Sequence, residues 1–274
     1  MTRTAIIAGQ GALPAILSAR LDAAGTPALL AEMDGFPAEV PGKSPVRFRI
    51  ERLVPFLDHL IEEGVSQVIF AGAVRRPKLE PEFFDARTAT LVPRLLGAIQ
   101  SGDDAALREI IAIFGEWGLT VIGADAVAPD LVPGAGVLAG QPSEADRHDA
   151  ARAAVIVAGL GAADIGQGAV VMQGLCLAVE TLPGTDAMLA FAAEHAARLR
   201  PDPKGARGVF YKAPKPGQDR RIDLPALGPA TVAAAARAGL AGIAWEAGGV
   251  LLLDRDAMIA AADEAGLFLW AREP

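Results

Sequence analysis

The sequence predicts an α/β fold with a mainly parallel sheet, and three observations carry that expectation. Short apolar β-rich runs alternate with stretches whose apolar residues recur at helical spacing, the order from which crossover helices and parallel strands follow. The side chains are 52% hydrophobic but only 5% aromatic, so Leu, Val, Ile and Ala must fill the core, which suits helices packed closely on a sheet. At 274 residues the chain has room for one large domain or two ordinary ones.

The first run, Arg3–Ala8, is apolar and ends at Gly9-Gln10-Gly11; Leu13, Ile16, Leu17 and Leu21 then mark a helix. Residues 27–33 and 46–50 read as strands, 53–63 as an amphipathic helix and 66–71 as a buried strand. Helices are expected over 88–100 and 104–117, then a strand over 119–123. From Asp125 the regular pattern fails, punctuated by Pro129, Pro133, Gly134, Gly136, Gly140 and Pro142. The expected division is therefore residues 1–128, a Pro/Gly-rich linker at 129–142, and a second domain at 143–274. In that second part the pattern predicts helices near 143–158, 186–198, 230–238 and 255–265. Strands are expected near 168–172, 175–180, 208–211, 242–244, 250–253 and 268–270.

Composition excludes several classes. Lys and Arg total 25 against 33 Asp and Glu, a formal charge of -8, and no basic patch stands out, so nucleic acid is not an expected partner. Lys212 and Lys215 are close together in a chain that otherwise favours Arg. Cys176 is the single cysteine, which precludes an internal disulfide and a thiolate zinc site; its apolar run makes it a packing residue. The long apolar stretch 153–179 is interrupted by Asp164, Gln167, Gln173 and several Gly, so it reads as helix, turn and strand and not as a membrane span. The first residues are too short an apolar run for a secretory signal, and a cytoplasmic location is expected.

Candidate chemistry lies in a few segments. Gly9-Gln10-Gly11 joins a strand to a helix, where backbone N–H groups and the helix dipole favour a phosphate. Pro14 breaks the dinucleotide fingerprint, and Glu32 sits near where a ribose-binding acid would lie, so a nucleotide-like ligand is favoured over a redox cofactor, with a plain tight turn as the alternative. Arg75-Arg76-Pro77 follows the 66–71 strand, where an arginine meets anions at a carboxyl edge. Asp103 or Asp104 opens a helix and is explained equally well as an N-cap. Thr185 and Asp186 also open a helix, with capping again the plain alternative, and turn chemistry accounts for the glycines around Gln167.

The loop from Lys212 to Asp223 is harder to dismiss as solvated surface. Two lysines held by prolines, followed by Asp223 between Ile222 and Leu224, combine cations and a carboxylate as metal-assisted phosphoryl chemistry requires. There is no P-loop, and His59, His148 and His195 stand alone inside expected helices. Oxygen-ligand ions such as Mg²⁺ or Mn²⁺ are the remaining metals.

At these residues the chain resembles the LpxI-type UDP-2,3-diacylglucosamine pyrophosphatase family. The resemblance runs through AGQGALP (8–14), FAGAVRRP (70–77), GDDAALR (102–108), DIGQGAVV (164–171), AVETLPGTDAML (178–189), KAPKPGQDRRIDLPALG (212–228) and ARAGLAGIAWEAG (236–248). It implies a Rossmann-like N-terminal domain, a C-terminal α/β domain of unusual topology and a ligand cleft between them. It also implies Mg²⁺-assisted hydrolysis of UDP-2,3-diacylglucosamine to UMP and 2,3-diacylglucosamine 1-phosphate (lipid X) in lipid A biosynthesis. By position it assigns Asp223 as the catalytic acid and metal-site residue, with Lys212 and Lys215 catalytic beside it. Gly9, Gly11, Arg76, Asp103, Gln167, Thr185 and Asp186 would bind substrate. Where the family often carries Asn, this chain has Ala73. The amphiphilic substrate implies peripheral contact with the inner membrane, and a homodimer stays open. Two rival readings are an NAD(P)-dependent oxidoreductase, on the strength of Gly9, Gly11 and Glu32, and a non-catalytic nucleotide-sugar sensor.

Overall fold

The computed structural model describes residues 3–74, 77–100 and 103–274. These divide into two compact units: Met1–Pro129 with Asp219–Asp223, and Asp130–Gln218 with Leu224–Pro274.

The first unit runs β1 (Arg3–Ala8), α1 (Leu13–Ala23), β2 (Leu29–Met33), β3 (Val46–Phe48), α2 (Leu53–Glu62), β4 (Val65–Ala71), α3 (Ala86–Ala89), α4 (Val92–Gln100), α5 (Asp103–Glu116) and β5 (Thr120–Val121). Among the described residues its five strands pair in the order β3-β2-β1-β4-β5, every pairing parallel. This is the Rossmann-like order, and its direction reverses between β1 and β4, where open sheets of this kind hold ligands. The apolar residues of α2 land on one face: Leu53, Phe56, Leu57 and Leu60 are buried with Ala5 and Ile7 of β1 and with Ile113 and Phe114 of α5. Phe48 stacks on Phe56 with ring centres 3.9 Å apart.

The helix expected over 88–100 is two helices. Pro93 cannot donate a backbone hydrogen bond to the preceding turn, so it opens α4 instead of continuing α3. Asp85 caps α3 by accepting from the amides of Arg87 and Thr88. The buried Thr88 hydroxyl donates to Asp85 and accepts from the Val54 amide, so its hydrogen bonds tie α3 to α2.

The second unit runs β6 (Gly136–Ala139), α6 (Glu144–Ala162), β7 (Gly168–Met172), β8 (Leu175–Val179), α7 (Gly184–Leu199), β9 (Val209–Lys212), β10 (Ala226–Leu227), α8 (Pro229–Arg237), β11 (Gly242–Glu246), β12 (Leu251–Leu252), α9 (Arg255–Ala265) and β13 (Phe268–Arg272). Its sheet has the order β6-β13-β11-β9-β7-β8. β9, β11 and β13 are parallel, whereas β6, β7 and β8 join antiparallel. Strand alternation sorts the core into two layers. Phe210, Ile243 and Leu269 pack with Leu189 of α7, Val232 of α8 and Met258 of α9. Val209, Tyr211 and Ala244 pack with Ala150, Ala153 and Val157 of α6. A capping box starts α6: Ser143 Oγ accepts from the Asp146 amide at 3.2 Å, and Asp146 accepts from the Ser143 amide at 2.9 Å.

The stretch 129–142, expected as a linker, contains β6, whose partner β13 closes the chain. Cys176 is exposed on β8 and is not the packing residue its apolar neighbours suggested. No helix among the described residues is long and apolar enough to cross a membrane.

The loops after β1 and β4 are stitched together. Gly9 N–H donates to Ala71 O (2.7 Å), while Gln10 and Ala73 exchange both backbone hydrogen bonds at 2.9 Å. The approach is close enough that a Cβ on Gly72, whose φ is +89°, would lie 2.6 Å from the Gln10 carbonyl oxygen. Gly72→Ala should therefore lower stability by about 2 kcal/mol, from the left-handed backbone and the clash together. Urea unfolding checks this, and a midpoint equal to that of the wild type would mean that the two loops can part freely.

Candidate functional site

In the second unit the candidate side chains are built on the end of the sheet where β9 finishes. Lys212 is its last residue, and strand alternation points it to the face covered by α7. Its Nζ donates to Thr185 Oγ1 in the first turn of α7, and the Thr185 hydroxyl in turn donates to Glu180 Oε2 at 3.0 Å. Glu180 Oε2 lies 3.5 Å from Lys212 Nζ, and the two side chains are only 13% and 8% exposed. An ammonium that enclosed requires this pairing, because an isolated buried charge costs several kcal/mol or more. Thr185 therefore does not cap α7: Pro183 occupies the cap position and no side chain caps the helix. Asp186 is exposed in the same turn.

Gln167 and Lys215 are joined through a residue that the sequence reading passes over. Gln218 Oε1 accepts from Gln167 Nε2 at 2.8 Å and from the Lys215 amide at 2.9 Å. Gln167 O also accepts from the Ala213 amide at 3.0 Å, fixing the loop after β9 against the entry to β7. The Lys215 ammonium pairs with Asp164, which sits at φ +56°. Gly161 gives the loop room, since a Cβ there would lie 2.6 Å from Pro216 Cδ. The second unit thus brings Gln167, Thr185, Lys212 and Lys215 into hydrogen-bonded clusters and adds Glu180, Gln218 and Asp164.

In the first unit Gly9 and Gly11 lie at the strand-order reversal. Gly11 has φ +101°, and Gly9 cannot take a side chain because its Cβ would lie 2.6 Å from Ala73 O. The expectation that these amides are free for a phosphate is corrected in part, because those of Gly9 and Gln10 bond to the loop after β4. Glu32 is also spent. Its buried carboxylate accepts from the Ala38 amide (2.9 Å) and Arg47 Nε (2.7 Å), contacts that hold it below the usual carboxylate range and leave it poorly placed to read a ribose.

Asp219–Asp223 belongs to the first unit although the chain on both sides belongs to the second. The Arg221 backbone passes Gly123, just beyond β5, and the Asp219 amide points at Asp104 near the start of α5 (3.4 Å). The segment therefore reaches the carboxyl edge of the parallel sheet. Asp219 grips Arg221 through both carboxylate oxygens, at 2.9 and 2.6 Å. That hydrogen bonding, with the nearby Arg108 charge, lowers the Asp219 pKa. Asp223 follows, exposed and at φ +64°. Arg76 lies outside the described residues, as does the side chain of Asp103, whose backbone opens α5.

Among the described residues no three His, Cys, Asp or Glu side chains converge to hold a metal. The donor chemistry nevertheless fits a hard dication of the Mg²⁺ type, which takes one or two carboxylates and fills its other positions with water and substrate phosphate oxygens. Asp223, the acid to which the resemblance assigns the metal, is exposed.

Comparison with known proteins gives the geometry a context. The LpxI N-terminal domain model matches residues 3–131 and the LpxI C-terminal domain model residues 134–270. The chain belongs to the LpxI family. A relative in that family, the UDP-2,3-diacylglucosamine pyrophosphatase LpxI of Caulobacter vibrioides, is 41% identical over 277 residues, covering 100% of this chain and 99% of its own. LpxI membership does not favour the oxidoreductase alternative, in agreement with the engaged Glu32 carboxylate.

The Asp219–Arg221 pair makes a prediction with a definite sign. A carboxyl whose folded-state pKa is depressed stabilises the fold above its unfolded pKa, and that contribution is lost as pH falls through the folded value. Arg221→Leu should raise the Asp219 pKa toward the ordinary carboxylate range, and the stability gap between variant and wild type should close as the solution is acidified. Carboxyl titration by NMR measures the first effect and chemical denaturation across pH the second. An unmoved Asp219 titration would mean that Arg221 does not set its charge.

Proposed function

We propose that this chain hydrolyses the pyrophosphate bond of UDP-2,3-diacylglucosamine, releasing UMP and 2,3-diacylglucosamine 1-phosphate, a step of lipid A biosynthesis. The observation that carries the proposal is the buried Lys212 ammonium held at a sheet end by Thr185 and Glu180. A lysine enclosed in this way is organised in advance for an anion, and a diphosphate is the anion that the 41% identical relative's name specifies.

In this reading Lys212 and Lys215 donate to non-bridging phosphate oxygens and offset the charge that builds as the bridging oxygen leaves. Gln167, fixed by Gln218, presents its amide to the same group, with Thr185 and Asp186 beside it at the start of α7. Gly11 receives the nucleotide at the strand reversal, with Gly9 keeping the turn free of a side chain, and Arg76 and Asp103 complete the substrate contacts. Asp223 would hold the metal. A bound Mg²⁺, with Mn²⁺ as the alternative ion, supplies Lewis-acid neutralisation of the diphosphate. A substrate with two acyl chains favours peripheral contact at the cytoplasmic face of the inner membrane.

The test is UMP release from UDP-2,3-diacylglucosamine with Mg²⁺, with and without EDTA. Wild type should turn over and EDTA should stop it. Asp223→Ala should fold and bind substrate but lose about 10²- to 10³-fold in kcat or more. Wild-type rates in that variant would remove Asp223 from the mechanism, and a wild type that binds the nucleotide sugar yet releases no UMP would be a sensor.

A further inference from the structure

Glu180 has so far appeared only as a partner of Lys212, and the sheet shows why it stands there. Gly168 is the register partner of Lys212 across β7 and β9. On its other side Gly168 O accepts from the Glu180 amide at 2.8 Å, continuing the β7–β8 ladder by one residue. Glu180, Gly168 and Lys212 therefore form a row across three strands, with paired residues facing the same side of the sheet. The middle residue has no side chain, so the outer two meet above it.

The space is tightly specified. A Cβ on Gly168 would lie 2.7 Å from Glu180 Oε2, and one on Gly166 would lie 2.1 Å from the Glu180 carbonyl oxygen. Both glycines flanking Gln167 thus give way to Glu180, a reason for them that turn chemistry alone does not supply. A lysine ammonium has three donors. Thr185 takes one and the Glu180 carboxylate faces another, which directs the third.

We infer that Glu180 is a positioning residue, which anchors the Lys212 ammonium and the Thr185 hydroxyl across Gly168 so that one Lys212 donor is presented to the substrate diphosphate. The inference rests on the hydrolase reading and deepens it. Glu180 touches no substrate in this scheme and acts on catalysis through Lys212, directly and by way of the Thr185 hydroxyl to which Lys212 donates. Most of the effect of its loss on kcat should therefore vanish when Lys212 is absent.

The experiment is a double-mutant cycle in the hydrolysis assay, with the folding of each variant checked by thermal unfolding. Glu180→Gln keeps the shape and removes the charge. It should lower kcat about 10- to 100-fold, the scale of a misplaced catalytic group, with a smaller change in KM. Lys212→Met should lower kcat at least as much, and the double variant should match Lys212→Met alone within about twofold. Effects that multiply, or a Glu180→Gln variant with wild-type kcat, would overturn the inference. If Glu180→Gln does not fold, Gly168→Ala, which keeps the carboxylate but displaces it, takes its place in the same cycle under the same criteria. A Lys212→Met variant at full rate would also overturn it, whereas a wild type that releases no UMP would instead defeat the hydrolase reading, so the two failures are distinguishable.

Discussion

A lysine ammonium inside a sheet built from Val, Phe and Tyr is the constraint around which the second unit is organised. Lys212 ends a strand whose four residues are all buried, and a charge in that setting must be matched nearby or it destabilises the fold. The match comes from just past the end of β8, across the intervening β7, through Glu180, and from a helix start, through Thr185. Meeting it dictates backbone features elsewhere: a glycine between the two charges, a second glycine two residues earlier, and a first turn of α7 whose threonine is turned away from capping. The same arrangement that makes the charge tolerable also fixes its direction, through ion pair and hydroxyl together.

The first unit meets a different constraint by similar means. Its parallel sheet separates the paths of β1 and β4 at the reversal of strand order, and the chain closes that gap with backbone hydrogen bonds between Gly9-Gln10 and Ala71–Ala73. Such a closure works only if two backbones approach without intervening side chains, which is why Gly9 and Gly72 face each other's loop. The cost is that two amides otherwise suited to a phosphate are committed to the protein. What is left for a ligand is the outer part of the turn, at Gly11 and the uncapped start of α1.

Much of this was legible in the sequence, and the parts that were not share a cause. β1, β4 and β7 are apolar runs bounded by Gly or polar residues, and α2 and α9 carry regular apolar spacing, so local pattern was enough to find them. The loop from Lys212 to Asp223 stood out because cations, prolines and an acid are rarely so concentrated in an Ala- and Leu-rich chain. β6 was hidden because four residues among prolines and glycines look like a connection until β13, at the far end of the chain, pairs with them. Thr185 looked like a helix cap because its position is right for one, and only the location of Glu180 shows otherwise. Glu180 itself was visible as an acid at a strand end, but its importance lies in the register of three strands, which no local pattern contains.

The path of the chain through residues 212–223 explains why candidate residues cannot be assigned to one half of the molecule by position alone. Lys212, Lys215 and Gln218 belong to the second unit, and the next five residues, Asp223 among them, belong to the first. The excursion is anchored by local chemistry: Ile222 is buried, Asp219 locks Arg221, and the Asp219 amide approaches Asp104. A fragment ending near residue 131, where the N-terminal family model stops, would contain the strand reversal but not Asp223. A fragment beginning near residue 134 would carry Asp223 without the surface against which its segment is held. Each unit has its own core, and the five-residue excursion is counted with the first. For those five residues, contacts and not place in the sequence decide where they belong.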